Sequence, residues 1–256
     1  MHTTAPHRTT RAPQPQRLLG VWAHPDDEAY LSAALMARVA DAGGSVTVVT
    51  ATLGEQGTSD PSLAGTAAFG SQREGELRNC LAELGVTDLR VLGVPDGGCP
   101  EADAEAHVAA IAAVIDEVDP QVIVTFGPDG LTWHPDHRTV SAWTTEAWAR
   151  TGSVADLLYA SMTDEFATTH DALHDRIGLF ADWGPGHAAT IPRAEVVLEA
   201  AMTPAELARK RRALGHHASQ IGGVVAAFGE ESYQQWLHQE TYRRPADADL
   251  MAGAGR

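Results

Sequence analysis

The chain has 256 residues, with 18 Lys and Arg against 34 Asp and Glu, which gives a formal net charge of −16. A general nucleic-acid-binding surface needs clustered basic residues, so this balance argues against that class of protein. Of the residues, 44% are hydrophobic and 20% are charged, which excludes a disordered chain. The length favours one sizeable α/β domain.

The first 16 residues differ in composition from the rest of the chain. They contain three prolines and four threonines without apolar periodicity, and therefore predict a disordered leader over residues 1–16. The segment lacks the apolar stretch of about 7–15 residues that a signal peptide needs, and no later run approaches the roughly 20 residues of a membrane span. The two cysteines, Cys80 and Cys99, cannot form a disulfide framework. These features favour a cytoplasmic protein with no membrane span.

From residue 17 onward, short apolar runs alternate with helix-like segments. Strands are predicted over residues 18–23, 46–51, 89–94, 121–126 and 157–162. Helices are predicted over 31–42, 72–84, 102–118, 139–150, 203–219 and 230–238, with a glycine-rich loop over 54–70. This alternation predicts βαβ units and a Rossmann-like, mostly parallel sheet with helices on both faces. We expect a single domain over residues 17–245 and a flexible tail over 246–256.

Polar residues follow several of the predicted strands, where ligands bind in open parallel sheets. His24 and Asp27 lie three residues apart on a strand-to-helix turn, so both side chains can contact one metal ion. His137, after the fourth strand, would complete a set of two histidines and one carboxylate. Such a set leaves one position open for water, as in catalytic zinc sites at the carboxyl ends of strands.

Asp26, next to Asp27, admits two interpretations. Adjacent carboxylates at a helix N-terminus can simply cap the helix and interact with its dipole. Beside a metal ion, one carboxylate can bind the ion while the other accepts a proton from water, which a hydrolytic zinc enzyme requires.

The two motifs that carry these residues resemble the PIG-L/LmbE family of zinc-dependent N-deacetylases over roughly residues 17–222. The signature is residues 23–28 (AHPDDE) followed far downstream by residues 134–137 (HPDH). Supporting matches are residues 52–57 (TLGEQG), Arg73 with Glu76, residues 95–97 (PDG), and Lys210 through Ala213 to residues 217–220 (HASQ).

The resemblance implies one zinc ion per chain, bound by His24, Asp27 and His137, with other divalent metals able to substitute. It implies that Asp26 is the general base that activates water at the zinc. It also implies an N-acetylglucosamine-type substrate in a small glycoconjugate or natural-product intermediate, from which the enzyme hydrolyses the acetyl group.

Further roles follow from the same resemblance. His134 is expected to stabilise the oxyanion and assist departure of the amine, and Asp136 to orient His134. Arg73 is expected to contact the sugar, while Glu55 and Asp96 are weaker candidates for substrate binding, because each lies in a segment that also suits a structural turn. Thr132 stands where some members carry a tyrosine, and Trp133 could stack on a sugar ring.

Other interpretations remain open at this point. An amidase or deacylase for a larger N-acyl or thiol-conjugate substrate is the main alternative, since the sequence fixes neither the aglycone nor the acyl chain. A nucleotide-binding Rossmann protein is disfavoured because no glycine-rich phosphate motif follows a strand, and a catalytically inactive relative because every expected chemical residue is present. The sequence leaves open whether the chain forms a homo-oligomer.

Several residues outside the motifs are expected to have no chemical role. His217 is predicted to be a packed helix residue and Cys80 a core residue, while residues 210–212 are expected to be a solvated helix face. Five histidines without a motif context are predicted to lie on the surface: His107, His170, His174, His187 and His216.

Overall fold

The computed structural model describes residues 15–253, with side chains described to residue 250. Most of the predicted leader therefore lies outside the described residues. The strands are β1 (Arg17–Trp22), β2 (Ser45–Thr50), β3 (Asp88–Val91), β4 (Val122–Phe126), β5 (Asp156–Thr163), β6 (Thr190–Ile191), β7 (Leu198–Glu199) and β8 (Thr241–Arg243). The helices are α1 (Asp27–Asp41), α2 (Ala67–Glu83), α3 (Ala104–Val118), α4 (Pro135–Thr151), α5 (Asp164–Ile177), α6 (Pro204–Gly215), α7 (Ala218–Phe228), α8 (Glu230–Trp236) and α9 (Asp247–Gly253).

The strands form one eight-stranded sheet with the order β3-β2-β1-β4-β5-β8-β7, and β6 pairs with β5. The neighbouring strands from β3 to β5 are parallel, whereas β8 runs antiparallel to both β5 and β7. The predicted α/β class with a mostly parallel sheet is confirmed. The strand order reverses between β1 and β4, and such a switch point opens a crevice at the carboxyl ends of the strands.

Buried apolar side chains explain why the central strands form. Leu19 and Val21 on β1 and Val48 and Val49 on β2 are fully buried, as expected for strands covered on both faces. Beside the sheet, α1 and α2 each pack against α6, and α3 packs against α4. Cys80 is buried, as predicted.

Several element boundaries differ from the predicted ones. Helix α1 begins at Asp27 and α4 at Pro135, so the first polar motif runs from the turn into α1 and the second lies at the N-cap and first turn of α4. The predicted helix over 203–219 is two helices, α6 and α7. Its start was predicted correctly, because Thr203 and Glu206 form a capping box with Pro204 at the first turn. Helix α5 was not predicted, and α9 lies within the predicted tail.

Two predictions about surface residues are wrong. His170 and His174 are buried, with 9% and 2% of their surface exposed. His174 Nε2 accepts a hydrogen bond from the indole nitrogen of Trp236 at 3.0 Å. Burial lowers the pKa of His174 to about 4, which keeps the ring neutral and able to accept this bond.

Lys210 is also not part of a solvated face. Its ammonium group donates to the Tyr30 carbonyl at 2.6 Å and to Glu240 Oε1 at 3.0 Å, and both charged side chains are almost fully buried. The Glu240 carboxylate additionally accepts the backbone N–H groups of Ala34 and Leu35 in α1. This ion pair therefore joins α6, the segment before β8 and α1.

Replacing Lys210 by methionine is expected to destabilise the fold by about 3–5 kcal/mol, because Glu240 would remain buried without its charged partner. Chemical denaturation measures the loss in the free energy of unfolding. Arg212→Met in the same helix is the matched control: the Arg212 side chain is 59% exposed and pairs with Glu83 at the surface, so less than about 1 kcal/mol is expected. Equal effects of the two substitutions would contradict a buried ion pair.

No helix among residues 15–253 is both long and apolar enough to cross a membrane.

Candidate active site

The turn after β1 has an unusual backbone. Asp26 has φ 111° and ψ −29°, a left-handed conformation that is uncommon for residues other than glycine. The turn is held by its own carboxylates: the Asp26 N–H donates to Glu28 Oε2 at 2.9 Å, and the His24 N–H donates to Asp27 Oδ2 at 2.8 Å. Strained conformations of this kind persist where the surrounding contacts fix them, and they concentrate at functional sites.

The three predicted ligand side chains form a triangle at the switch point. His24 Nδ1 lies 3.1 Å from His137 Nε2, and the two nitrogens lie 3.6 Å each from oxygens of the Asp27 carboxylate. Ligand atoms about 2.0–2.1 Å from a tetrahedral ion are themselves roughly 3.3 Å apart. The spacing of these three side chains therefore fits a single tetrahedral metal ion.

The outer nitrogens of the two histidines have partners that fix their tautomers. His24 Nε2 lies 3.1 Å from both Asp136 Oδ2 and Asp96 Oδ1, and His137 Nδ1 donates to the Gly130 carbonyl at 3.0 Å. With these nitrogens protonated, the inner nitrogens keep their lone pairs for a metal ion, which is the usual arrangement of metal-binding histidines.

The charges around the triangle also favour a cation. Burial alone would lower the pKa of His24, but the carboxylates of Asp136, Asp27 and Asp96 raise it well above its usual value. Burial lowers the pKa of His137 to about 4, and Asp27 has a pKa far below its usual range because the attraction of His137 and His24 outweighs burial. The three carboxylates thus hold a proton on His24 while His137 is neutral and Asp27 ionised, and a divalent metal ion would take the place of that proton.

The Asp136 carboxylate does not have the predicted partner. Among the described residues it accepts the backbone N–H groups of Gly97 at 2.8 Å and Cys99 at 3.1 Å and contacts His24, while its own backbone N–H donates to His134 Nδ1 at 3.2 Å. His134 is the N-cap residue of α4, so its ring turns back toward the helix backbone. Asp136 is thus placed to orient His24 rather than His134.

His134 lies beside the triangle with its ring centroid 4.9 Å from that of His137. Because Nδ1 accepts a backbone hydrogen bond, the neutral ring carries its proton on Nε2. Burial and the neighbouring His24 lower the pKa of His134, which favours this neutral form. His134 can therefore donate one hydrogen bond into the cavity.

Arg73 is buried rather than solvated and lies against Asp26. Its guanidinium donates to the carbonyls of Pro25 and Gly54 and lies 3.2 Å from the Asp26 carboxylate. Gly54 has φ 65°, which favours glycine, and a side chain there would displace this guanidinium, since its Cβ would lie 2.0 Å from a guanidinium nitrogen. Burial raises the pKa of Asp26 to about 6, although Arg73 opposes the shift. Arg73 therefore holds the turn that carries Asp26.

Behind this turn lies a buried set that was not singled out from the sequence. His217 Nε2 lies 3.1 Å from Glu28 Oε1, and the Cys80 thiol is 3.5 Å from the same oxygen. His217 is fully buried, as its predicted packed role requires. Because the other Glu28 oxygen accepts the Asp26 N–H, this set fixes the backbone of Asp26. The sequence signals were the position of Glu28 directly after the two aspartates and that of His217 in the supporting HASQ match.

The triangle opens into a cavity of about 730 Å³. Asp26, Arg73, Asp96 and His134 line it, together with Thr132. Glu55 is not among the lining residues; its carboxylate accepts the Asp96 N–H at 2.9 Å and so supports the loop that carries Asp96. Trp133 also points elsewhere, since its indole N–H donates to the His187 carbonyl.

The fold and this cluster together define an α/β protein with a hydrolase-like candidate metal site at the switch point of its sheet. The family model described as "PIG-L: GlcNAc-PI de-N-acetylase" matches residues 19–148. The chain belongs to the PIG-L family.

Curated relatives agree with this family. The chain is 35% identical over 281 aligned positions to the 1D-myo-inositol 2-acetamido-2-deoxy-alpha-D-glucopyranoside deacetylase of Actinosynnema mirum, covering 94% of this chain and 98% of that protein. It is 44% identical to the 1D-myo-inositol 2-acetamido-2-deoxy-alpha-D-glucopyranoside deacetylase 2 of Catenulispora acidiphila, in an alignment that covers 48% of each protein. The alignments with the relatives of higher identity thus span about half of their length.

A solved structure supports the fold. The N,N'-diacetylchitobiose deacetylase of Pyrococcus horikoshii superposes with a TM-score of 0.65 at 19% identity, covering 93% of this chain and 85% of that one. The relatives and this structure are deacetylases, which hydrolyse amide bonds.

Proposed function

We propose that this protein is a zinc-dependent N-deacetylase that removes the acetyl group from an N-acetylglucosamine-type sugar in a small glycoconjugate. The observation that carries the proposal is the triangle of His24, Asp27 and His137 with the Asp26 carboxylate in the same cavity. Relatives that align over nearly their whole length are named for acetamido-sugar deacetylation, which supports the substrate class.

We assign His24, Asp27 and His137 as the ligands of one Zn²⁺ ion. The two nitrogen donors and one carboxylate are a ligand set that zinc prefers at catalytic sites, although other divalent metals can bind the same donors. When bound, the ion supplies a Lewis acid that polarises the amide carbonyl and lowers the pKa of water toward about 7.

Asp26 is the proposed general base. The Asp26 carboxylate lines the cavity directly beside the ligand Asp27. The ion pair with Arg73 and the hydrogen bond from the Asp26 backbone N–H to Glu28 keep this carboxylate from rotating into the triangle. In this position Asp26 accepts the proton of the attacking water and can deliver it to the leaving nitrogen. A base held in a fixed position contributes more to the rate than a freely rotating one.

His134 is the proposed oxyanion donor. Its Nδ1 is occupied by the Asp136 N–H, so the Nε2 proton is the one available to the substrate. A hydrogen bond from Nε2 to the carbonyl oxygen strengthens as negative charge develops there, which stabilises the transition state more than the bound substrate. Asp96 and Arg73 are the proposed contacts for sugar hydroxyls.

The cytoplasmic location and the homo-oligomeric state remain predictions from the sequence.

The function is tested by measuring acetate and free primary amine after incubation with methyl 2-acetamido-2-deoxyglucopyranoside and with the myo-inositol conjugate. We expect both products in equal amounts, loss of activity with a chelator, and recovery with zinc. Activity only on acyl groups longer than acetyl would overturn the acetyl assignment in favour of an amidase or deacylase. Unchanged activity after complete metal removal would overturn the metal assignment.

A further inference from the structure

The cavity is larger than the reacting groups need. At about 730 Å³ it lies in the upper part of the range of roughly 300–1,000 Å³ that holds drug-sized ligands. One part of its wall, which we call the apolar lobe, consists of Met162, Phe166, Leu179, Trp183, Val224 and Trp236. None of these six side chains is ionisable.

The apolar lobe lies on one side of the switch point. Met162 is near the end of β5, Phe166 is in the first turn of α5, Val224 is in α7 and Trp236 ends α8. Helix α7 packs against both α5 and α8, which closes this wall. Asp96 follows β3, which is at the opposite edge of the parallel part of the sheet from β5. The cavity therefore has a polar end at the β2 and β3 loops and an apolar end beyond β5.

The polar atom of Trp236 is already satisfied within the protein. Its indole N–H donates to His174 Nε2 at 3.0 Å, and the ring packs edge-on against Tyr30 at 5.5 Å. The indole is thereby held in place without needing a hydrogen bond from a ligand. The buried, neutral His174 thus has a function in shaping the cavity wall.

Trp183 is exposed although it lies at the reacting end of the cavity. It retains 52% of its accessible surface, and its ring centroid is 5.0 Å from that of His134. A large apolar side chain exposed in a concave site is typical of a surface that a ligand covers.

We propose that the apolar lobe binds an apolar aglycone of the amino-sugar substrate. The inference rests on the proposed function: when the acyl group is acetyl, the aglycone is the part of the substrate with enough atoms to cover a wall that extends from β5 to α8. Burial of an alkyl or aryl group there is favourable. A polyol aglycone in the same place would lose hydration and regain at most the one hydrogen bond that the indole N–H of Trp183 can donate, since that of Trp236 is already paired with His174. The preferred substrate is therefore a glycoside with an alkyl or aryl aglycone.

The experiment compares kcat/KM for the methyl, butyl and octyl glycosides of N-acetylglucosamine and for the myo-inositol conjugate, below the micellar concentration of the octyl compound. We expect kcat/KM to rise with chain length by roughly tenfold or more from methyl to octyl, mainly through KM. The myo-inositol conjugate should not exceed the methyl glycoside. A second series at a fixed methyl aglycone, from N-acetyl to N-octanoyl, tests whether the lobe instead binds the acyl chain.

Val224→Ser and Phe166→Ser should each reduce the octyl-to-methyl ratio of kcat/KM severalfold. Val197→Ser is the matched control, because Val197 is 48% exposed and does not line the cavity; it should leave the ratio unchanged. Thermal melting establishes that each variant is folded, and two separate positions guard against a folding defect in one of them.

Equal kcat/KM for all aglycones would overturn the inference while leaving the deacetylase function intact. A preference that follows the acyl chain instead of the aglycone would also overturn it. Absence of acetate release from every glycoside would contradict the proposed function itself, and the two failures are therefore distinguishable.

Discussion

Asp26→Asn is expected to lower kcat by roughly 10²–10⁴-fold, the usual contribution of a positioned proton acceptor. Asparagine is nearly isosteric with aspartate and tolerates the left-handed backbone conformation that Asp26 adopts at φ 111°. The amide oxygen can still accept the hydrogen bond from Arg73, so the turn should be preserved. The substitution therefore removes the basic oxygen with little other change.

The measurement combines steady-state kinetics on an N-acetylglucosaminide with zinc content and thermal melting. Asp41→Asn, at the far end of the helix that follows Asp26, is the control, since the Asp41 side chain is 64% exposed and pairs with Arg209 at the surface; it should retain wild-type kcat. Loss of zinc from Asp26→Asn would make Asp26 a ligand instead of a base. A near-wild-type kcat would remove it from the mechanism.

His137→Ala is expected to abolish activity and to lower the affinity for zinc. Loss of a residue that only supports a ligand lowers metal affinity by roughly 10–100-fold, and loss of a ligand should cost more. The two remaining side chains of the triangle, His24 and Asp27, belong to one turn and leave the side facing α4 open. Zinc affinity is measured by competition with a chromophoric chelator, and zinc content by elemental analysis.

The ring of His137 also stacks on Phe126, with centroids 4.2 Å apart, so truncation removes packing as well as a ligand. His137→Gln fills more of that space and separates the two effects, because it should bind zinc poorly while melting closer to wild type. His216→Ala, at an exposed histidine after α6, is the control with full zinc content. Equal zinc in the wild type and in both His137 variants would contradict this ligand set.

The order of strands and helices was predictable from the sequence because the signals are local. Apolar runs predicted β1 to β5, and the capping residues Thr203 and Glu206 predicted the start of α6. Since parallel strands align their carboxyl ends, the sequence also predicted that His24 and His137 would meet, although 112 residues lie between them. The antiparallel β8 and helix α5 were not predicted, because short or weakly apolar segments gain their stability from tertiary packing rather than from a local sequence pattern.

Within the site, the sequence determined which residue types meet, and the tertiary structure decided how they pair. The motif placed Asp136 beside His134, but the pairing of its carboxylate with His24 depends on where the loop after β3 presents the N–H groups of Gly97 and Cys99. The burial of Lys210 against Glu240 likewise depends on the docking of α6 onto α1.

The apolar lobe illustrates the same limit. Its six side chains come from four separate segments, each of which is unremarkable as a sequence pattern. The sequence by itself determined the α/β class, the family and the residues proposed as metal ligands, because these follow from local periodicity and motif spacing. Only the tertiary structure decided the partners of those residues, the burial of His174 and Lys210, and the apolar end of the cavity. Burial and hydrogen-bond pairing are properties of packed surfaces from distant segments, which no local pattern specifies.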